Sequence, residues 1–174
     1  MKKTITKTIA TLDEFSLENQ KKIYNKEMDS YIELATEPLN IEMKNVLSAF
    51  LHDYDFELSL WNVDEYKGYE YRIKRNDILF SLHGKSLRAY VSEKYKEVQG
   101  YISMYADNHL IDCIKEYIDS KEDIDFQTLM KRCLNKFFES WQTALSFYTS
   151  FQHFKDDAIA NNWYYNTETL QFEE

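Results

Sequence analysis

The segment LHDYDFE at residues 51–57 contains the residue types most suited to metal chemistry, a histidine next to an aspartate. Pairs of this kind hold metal ions in phosphohydrolases, but a complete site needs further ligands that converge from neighbouring elements. No histidine precedes His52, and Asp53 and Asp55 lie where a predicted helix gives way to a strand. Acidic residues are common at such junctions because they are solvated there. The sequence therefore predicts no metal site at this position.

The other residues capable of catalysis are scattered along the chain. His83, His109 and His153 share no ligand spacing with Cys113 or Cys133, so we expect no zinc site. Glycine-rich phosphate loops and the G-x-S-x-G and Cys-His signatures of nucleophilic enzymes are absent from the sequence. We predict a chain that is not an enzyme and needs no cofactor, with its two cysteines as free, half-buried thiols. A small enzyme whose distant carboxylates pair in space stays open as an alternative.

Two acidic clusters, SKEDIDF at 120–126 and FKDDAIANN at 154–162, are the sharpest local features. One interpretation is that each cluster begins a helix, where acidic side chains interact favourably with the positive end of the helix dipole. The other is that both lie on one face and form a negative stripe that imitates the spacing of phosphates. Under that second interpretation, the residues predicted to bind a partner are Glu122, Asp123, Asp125, Asp156, Asp157, Tyr164 and Tyr165. A rival hypothesis places the docking surface on Tyr66, Tyr69 and Tyr71.

The charge of the chain indicates what kind of partner it has. The 174 residues carry a net charge of −9, and residues 101–174 contribute −7 of it. Direct binding of nucleic acid is disfavoured, because phosphate contacts need clustered cations. A basic protein is favoured as the partner, including a protein whose own task is to hold nucleic acid. The chain has neither an apolar run long enough to span a membrane nor the apolar segment of a signal peptide, so we expect a cytoplasmic location.

The first half of the chain predicts two helices and a small sheet. Residues 4–9 alternate as a short strand, and Ser16 is placed to cap a helix. Pro38 either ends that helix or opens the next one. A second amphipathic helix is predicted over 40–52. The segments FELSLWNV, YEYRIKR and DILFSLHG then predict an antiparallel meander of three strands, with residues 4–9 as a possible fourth.

The second half of the chain is predicted to be mostly helical. Asp125 is placed to cap a long helix whose Leu134, Phe137 and Trp141 face Leu58 or Leu60 of the sheet. DDAIANN predicts a short helix, and WYYNTETLQF predicts a hairpin that turns near 166–169. The expected fold is a single α+β domain over residues 1–174, in which long helices pack against a small antiparallel sheet.

Two stretches together resemble a group of small, acidic phage and prophage proteins. TLDEFSLENQKKIYNKE resembles the group's F-x-E-L-S-x-E-A-K-x-K-A start. SFYTSFQHFKDDAIANNWYYNTETLQF is similar to its ending, an S-D-E-A-I-A helix followed by an N-x-Y-x-F-x-x-x-G hairpin. This chain departs from the pattern by inverting the Phe and Leu positions at Leu12 and Phe15. Lys155 also replaces the serine, and Leu170 stands at the final glycine.

The resemblance implies a function in the conflict between mobile elements and their hosts. Some small acidic proteins of this setting look like anti-CRISPR proteins, which block Cas nucleases by occupying protein surfaces. The resemblance thus implies stoichiometric inhibition of a host defence protein in the bacterial cytoplasm, with a Cas nuclease and its guide RNA as the specific partner. An antitoxin-like module that neutralises a toxin is the alternative binding function.

Overall fold

The computed structural model describes residues 9–64, 67–98 and 108–173, and it has the predicted α+β fold. The helices are α1 (Leu17–Asp53), α2 (Asp77–Phe80), α3 (Gly84–Val98), α4 (Asn108–Asp119), α5 (Phe126–Tyr148) and α6 (Phe151–Ala160). The strands are β1 (Ile9–Thr11), β2 (Leu58–Asp64), β3 (Gly68–Ile73), β4 (Tyr164–Asn166) and β5 (Phe172–Glu173), and one 3₁₀ turn spans Leu12–Glu14. Among the described residues, no helix combines the length and apolar character needed to cross a membrane.

The described residues group into two compact units. The terminal unit consists of the residues up to Pro38 and those from Ser146 onward, and the central unit is Leu39–Leu145. Helices α1 and α5 each contribute residues to both units. The organisation as a single domain stays a prediction.

The terminal unit contains a three-stranded antiparallel sheet in the order β1–β4–β5. Of the strand predicted at 4–9, only Ile9 lies within the described residues, and it pairs with Asn166 of β4. Ile9 therefore does not join the meander, and the prediction for residues 4–8 lies outside the described residues. The hairpin of β4 and β5 is confirmed, and the side chain of Asn166 fixes its turn by accepting hydrogen bonds from the backbone of Glu168 and Thr169, both 3.0 Å long. Leu170 completes the turn with φ at +56°, a conformation that glycine adopts most easily.

Helix α1 begins as predicted and then continues past the predicted stop. The hydroxyl of Ser16 accepts a hydrogen bond from the backbone of Asn19 at 3.4 Å, which confirms the cap. Pro38 does not end the helix, and the prediction of two separate helices is wrong. A proline inside a helix costs about 3 kcal/mol, because it leaves the carbonyl four residues earlier without its donor. That carbonyl belongs to Leu34, whose side chain is at the surface, and buried residues before and after Pro38 stabilise the continuous helix.

The predicted meander has two strands rather than three. Strands β2 and β3 form an antiparallel hairpin, but residues 77–80 form the short helix α2. Asn76 explains the difference, because its side chain accepts hydrogen bonds from the backbone of Ile78 and Leu79 and so caps a helix.

The core of the central unit is formed around one face of α5. Leu134, Phe137 and Trp141 are buried there as predicted, and the Trp141 indole donates a 3.0 Å hydrogen bond to Asn40 Oδ1. Leu58 packs against this core, whereas Leu60 is 45% exposed. The placement of Leu60 in the core is wrong because the register between Leu58 and Leu60 contains a bulge, which reverses the facing of the residues that follow. Cys113 and Cys133 are free, as predicted, and fully buried rather than half-buried.

Candidate functional site

Two of the three predicted binding residues in the acidic cluster at 120–126, Glu122 and Asp125, have structural roles. Glu122 pairs with both terminal nitrogens of Arg132, at 2.6 and 3.2 Å, and the pKa of Glu122 is lowered by that hydrogen bond. Asp125 caps α5 by accepting a 2.7 Å hydrogen bond from the backbone of Thr128. Asp123 is exposed, but a Cβ added at Gly84 would come within 2.4 Å of its Oδ1. The interpretation as a helix start therefore explains Asp125 directly.

The acidic cluster at 154–162 does not begin a helix. Helix α6 starts at Phe151 and is capped by Ser150, whose hydroxyl accepts a 3.1 Å hydrogen bond from the backbone of His153. Asp156 and Asp157 lie in the second half of this helix, so their predicted interaction with the positive end of the helix dipole is wrong. Asp156 is exposed and accepts a hydrogen bond from Gln152. The two clusters belong to different units, and the continuous negative stripe stays a hypothesis.

Asp157 belongs to a small polar group that ties α6 to α1. The Tyr31 hydroxyl donates to Asp157 Oδ2 at 2.8 Å and lies 2.5 Å from His153 Nδ1. Because the single hydroxyl proton is directed to Asp157, the imidazole donates its Nδ1 proton to the Tyr31 oxygen. Burial, followed by the hydrogen bond to Asp157, raises the pKa of Tyr31 well above its usual value. The group therefore holds a neutral tyrosine in a fixed position.

The fixed ring of Tyr31 forms part of the floor of an open groove of about 300 Å³ in the terminal unit. We call this the aromatic groove, because five of its eight lining residues carry aromatic rings. It is lined by Glu27, Ser30, Tyr31, Leu34, Phe154, Trp163, Tyr165 and Phe172. The first four follow one another along one face of α1, and the others come from α6 and the segment after it.

The rings of the aromatic groove meet edge to face. Trp163 and Phe172 have centroids 6.0 Å apart and planes at 74°, and Tyr165 meets Phe172 at 5.9 Å and 68°. Phe154 lies beneath Trp163 at 6.1 Å. Trp163 is partly exposed and Phe172 is 43% exposed, so both rings are open to contact beside the buried Tyr31 and Phe154.

One carboxylate, Glu27, lines the aromatic groove. Among the described residues, the side-chain carboxylate of Glu27 forms no ion pair and accepts no hydrogen bond. The neighbouring Lys26 is engaged elsewhere, since its Nζ donates a 2.7 Å hydrogen bond to the carbonyl of Thr169. Burial, with a smaller contribution from the charge of Glu27, raises the pKa of Tyr165. The aromatic groove is thus mostly apolar, with the Ser30 hydroxyl and one carboxylate that has no protein partner in the part of the chain described.

The two tyrosines predicted to bind a partner have different environments. Tyr164 is 44% exposed, in keeping with a docking role, whereas Tyr165 is only 1% exposed. The prediction of Tyr165 as an exposed docking side chain is wrong, because alternation along β4 turns it into the hydrophobic core of the terminal unit. Of the rival surface, Tyr66 lies outside the described residues, and Tyr69 and Tyr71 are half-buried, with their rings stacked on Phe138 at 5.5 and 5.3 Å.

A second depression lies beside His52 in the central unit, and it has different chemistry. Its lining includes Asp55 and Glu57, and both carboxylates are already paired, with Lys94 at 2.8 Å and with Lys74 at 2.6 Å. Within the described ranges, no group of three or more His, Cys, Asp or Glu side chains is placed to hold a metal ion. The aromatic groove is therefore the better candidate for a binding site.

Comparison with known proteins does not assign a function to this chain. The chain has no significant match to a protein-family model, to a curated protein or to a solved structure. The aromatic groove and the charge of the chain are therefore the observations that bear on its function.

Reasoning from the sequence missed most of the aromatic groove. Of the predicted binding residues, only Tyr165 lines the aromatic groove, and it does so from the core and not as an exposed side chain. One available signal was the spacing of Glu27, Ser30, Tyr31 and Leu34, which places all four on one helical face. The contribution of Trp163 and Phe172 could not be read in this way, because it depends on how the final hairpin packs against α1.

Proposed function

We propose that this chain is a stoichiometric protein inhibitor that binds a basic protein of host defence, and that its specific target is a Cas nuclease loaded with guide RNA. The net charge of −9 supports a basic partner, because complementary charge steers association and selects against acidic proteins. The resemblance to small acidic phage proteins supports the setting. The inhibitor would then act in the cytoplasm of the host bacterium, where such nucleases work.

The observation that carries the proposal is the aromatic groove with Glu27, whose carboxylate has no partner among the described residues. Protein interfaces draw most of their binding energy from a few well-packed aromatic or arginine anchors in pockets that exclude water. The aromatic groove offers such a pocket, and the exposed Tyr164 and Asp156 of the same unit would supply contacts around it. The carboxylates would set the association rate and its sensitivity to salt, and the aromatic groove would set the affinity.

The alternative of a small enzyme with paired carboxylates gains no support from the described residues. Asp55, Glu57 and Glu122 face lysine or arginine partners, as does Glu116, which pairs with Lys136 at 2.8 Å. Each of these ion pairs places a cation, and not a second carboxylate, against the acidic group. An antitoxin would use the same groove, and only the partner's identity separates it from an inhibitor of a nuclease.

The test is a DNA-cleavage assay in which purified chain is titrated into Cas nucleases of several types, each loaded with its guide RNA. We expect one nuclease to lose activity with an end point at a fixed ratio of chain to nuclease. Phe172→Ala should raise the concentration needed for inhibition about tenfold, the size typical of losing a contact worth above 1 kcal/mol. Ile78→Ala, which truncates a 79% exposed side chain in the central unit, is the control and should inhibit like the parent chain.

Two results would overturn the proposal. One is that no nuclease in the panel is inhibited or bound at equimolar concentration. The other is inhibition that does not saturate at a fixed ratio, since a catalytic inactivator acts at amounts far below its target.

A further inference from the structure

We propose that the aromatic groove receives one arginine side chain from a basic segment of the partner, with the guanidinium at Glu27 and the aliphatic stem on the aromatic rings. The inference rests on the proposed function only for the statement that this arginine belongs to a protein that the chain inhibits. The chemistry of the occupant is argued from the aromatic groove itself.

The shape of the aromatic groove suits a single long side chain. Its volume of about 300 Å³ is at the lower limit of pockets that hold small ligands. The ring planes of Trp163 and Phe172 meet at 74°, so a side chain lying in the corner that the two rings form would contact both of them. Tyr31 and Phe154, both buried, close the floor beneath. The aliphatic part of an arginine or lysine packs on surfaces of this kind while its charged end stays near water.

The charge of the aromatic groove selects a cation. A purely apolar occupant would remove water from Glu27 and leave its carboxylate without a partner, which is costly for a buried charge. A cationic occupant replaces that water with an ion pair, and the faces of Trp163 and Phe172 attract the same positive charge. The terminal unit carries seven Lys or Arg residues against twelve Asp or Glu, a net charge of −5, so its wider field also favours a cation.

Arginine fits this site better than lysine. A guanidinium forms two parallel hydrogen bonds with one carboxylate and stacks its flat face on an aromatic ring, whereas an ammonium does neither. Glu27 offers both carboxylate oxygens, and the exposed Ser30 one turn further along α1 offers a hydroxyl oxygen as a further acceptor. The Trp163 ring supplies the stacking face.

The first experiment follows the indole N–H signals of Trp61, Trp141 and Trp163 by nuclear magnetic resonance, with the Trp163 signal assigned from Trp163→Phe. The probes are N-acetyl-arginine amide and N-acetyl-citrulline amide, which have nearly the same shape but differ in charge. We expect the arginine probe to shift the Trp163 signal in a saturable way, and the citrulline probe to bind at least about fivefold more weakly, as expected for about 1 kcal/mol of charge interaction. Equal binding of the two probes, or no saturable shift at Trp163, would overturn the inference.

Matched variants on α1 test the carboxylate. Glu27→Gln keeps the size of the side chain and removes its charge, and it should weaken binding of the arginine probe about fivefold while leaving citrulline binding unchanged. Glu33→Gln makes the same charge change at an exposed position of α1 outside the groove lining, and it should bind the probe like the parent chain. If the two variants weaken binding of the arginine probe equally, the effect comes from net charge, and the assignment of Glu27 as the partner of the guanidinium is wrong.

The same variants in the cleavage assay separate this inference from the proposed function. If the parent chain inhibits a nuclease and Glu27→Gln inhibits equally well, the inference fails and the proposed function stands. If the arginine probe binds in a Glu27-dependent way but no nuclease is inhibited, the chemistry of the site is right and the proposed target is wrong. If Glu27→Gln loses inhibition and Glu33→Gln inhibits like the parent chain, the result supports both the inference and the proposed function.

Discussion

The hydroxyl of Tyr31 donates a 2.8 Å hydrogen bond to Oδ2 of Asp157, across 126 positions of the sequence. This bond joins α1 to α6 within the terminal unit and fixes the ring that forms part of the floor of the aromatic groove. The relationship makes the geometry of the site depend on one buried tyrosine hydroxyl.

Replacing Tyr31 with phenylalanine should therefore destabilise the protein without leaving a large cavity, because the ring is kept. We expect the free energy of unfolding to fall by about 1 to 2 kcal/mol, because the hydrogen bond to a partly exposed carboxylate is lost and His153 Nδ1 keeps only its longer, 3.4 Å contact with Asp157 Oδ2. Urea denaturation followed by circular dichroism measures the change. Tyr164→Phe, which removes a hydroxyl from an exposed tyrosine, should change stability by less than about 0.5 kcal/mol. Equal stability of the two variants would show that the Tyr31 bond contributes nothing.

A second prediction concerns alkaline pH and the fully buried Tyr54. Its hydroxyl has no hydrogen-bond partner among the described residues, and burial raises its pKa well above the usual value near 10. In the folded state Tyr54 keeps its proton above pH 10, whereas in the unfolded state it releases the proton. Its contribution to stability is therefore complete below about pH 10 and is lost as the pH rises further, by up to about 1.4 kcal/mol per pH unit.

The variant Tyr54→Phe isolates this effect. At pH 7 it should be as stable as the parent chain or more stable, because it removes a buried hydroxyl that has no partner. Between pH 10 and about 11.5 its free energy of unfolding should decline less steeply than that of the parent chain. Tyr71, whose pKa burial raises to about 12, remains in both proteins and gives them a common background. Parallel declines would contradict the assignment.

A third prediction concerns the acidic cluster at 120–126, where Asp125 caps α5 and cannot be replaced without affecting stability. Asp125→Ala should lower the free energy of unfolding by about 1 kcal/mol, because the backbone of Thr128 loses its cap. Asp112→Ala, at an exposed position of α4, removes the same charge and should have little effect. Thermal unfolding of the three proteins measures the difference. A loss as large in Asp112→Ala would mean that net charge, and not the cap, is responsible.

A fourth prediction concerns the core of the central unit. Phe137 is fully buried on α5 and meets Trp141 edge to face at 5.8 Å. Phe137→Ala should cost about 3 to 5 kcal/mol, because it removes the transfer energy of the ring and leaves a cavity. Phe147→Ala, at a 60% exposed position of the same helix, is the control and should cost much less. A cost below about 1 kcal/mol at Phe137 would show that the core had refilled the space.

Much of the fold could be predicted from local patterns in the sequence. Ser16 and Asp125 begin their helices as predicted, since a cap depends on residues only three positions apart. The buried face of α5 and the final hairpin were also predicted correctly, because a helical stripe and an Asn-centred turn are local features. Segments whose structure depends on their own residues were therefore open to inference.

The tertiary structure decided the rest. Pro38 stays within one helix because packing on both sides of it outweighs the lost hydrogen bond, and Leu60 faces solvent because a bulge shifts the strand register. Asp157 binds Tyr31 instead of a helix dipole, and Tyr165 is buried instead of displayed. The aromatic groove depends on the same kind of information, because Glu27 and Phe172 are 145 positions apart in the chain and meet only when the hairpin folds against α1. Residue type and spacing determine which helices form and which faces they bury, whereas contacts between distant segments are set by packing that no local pattern encodes.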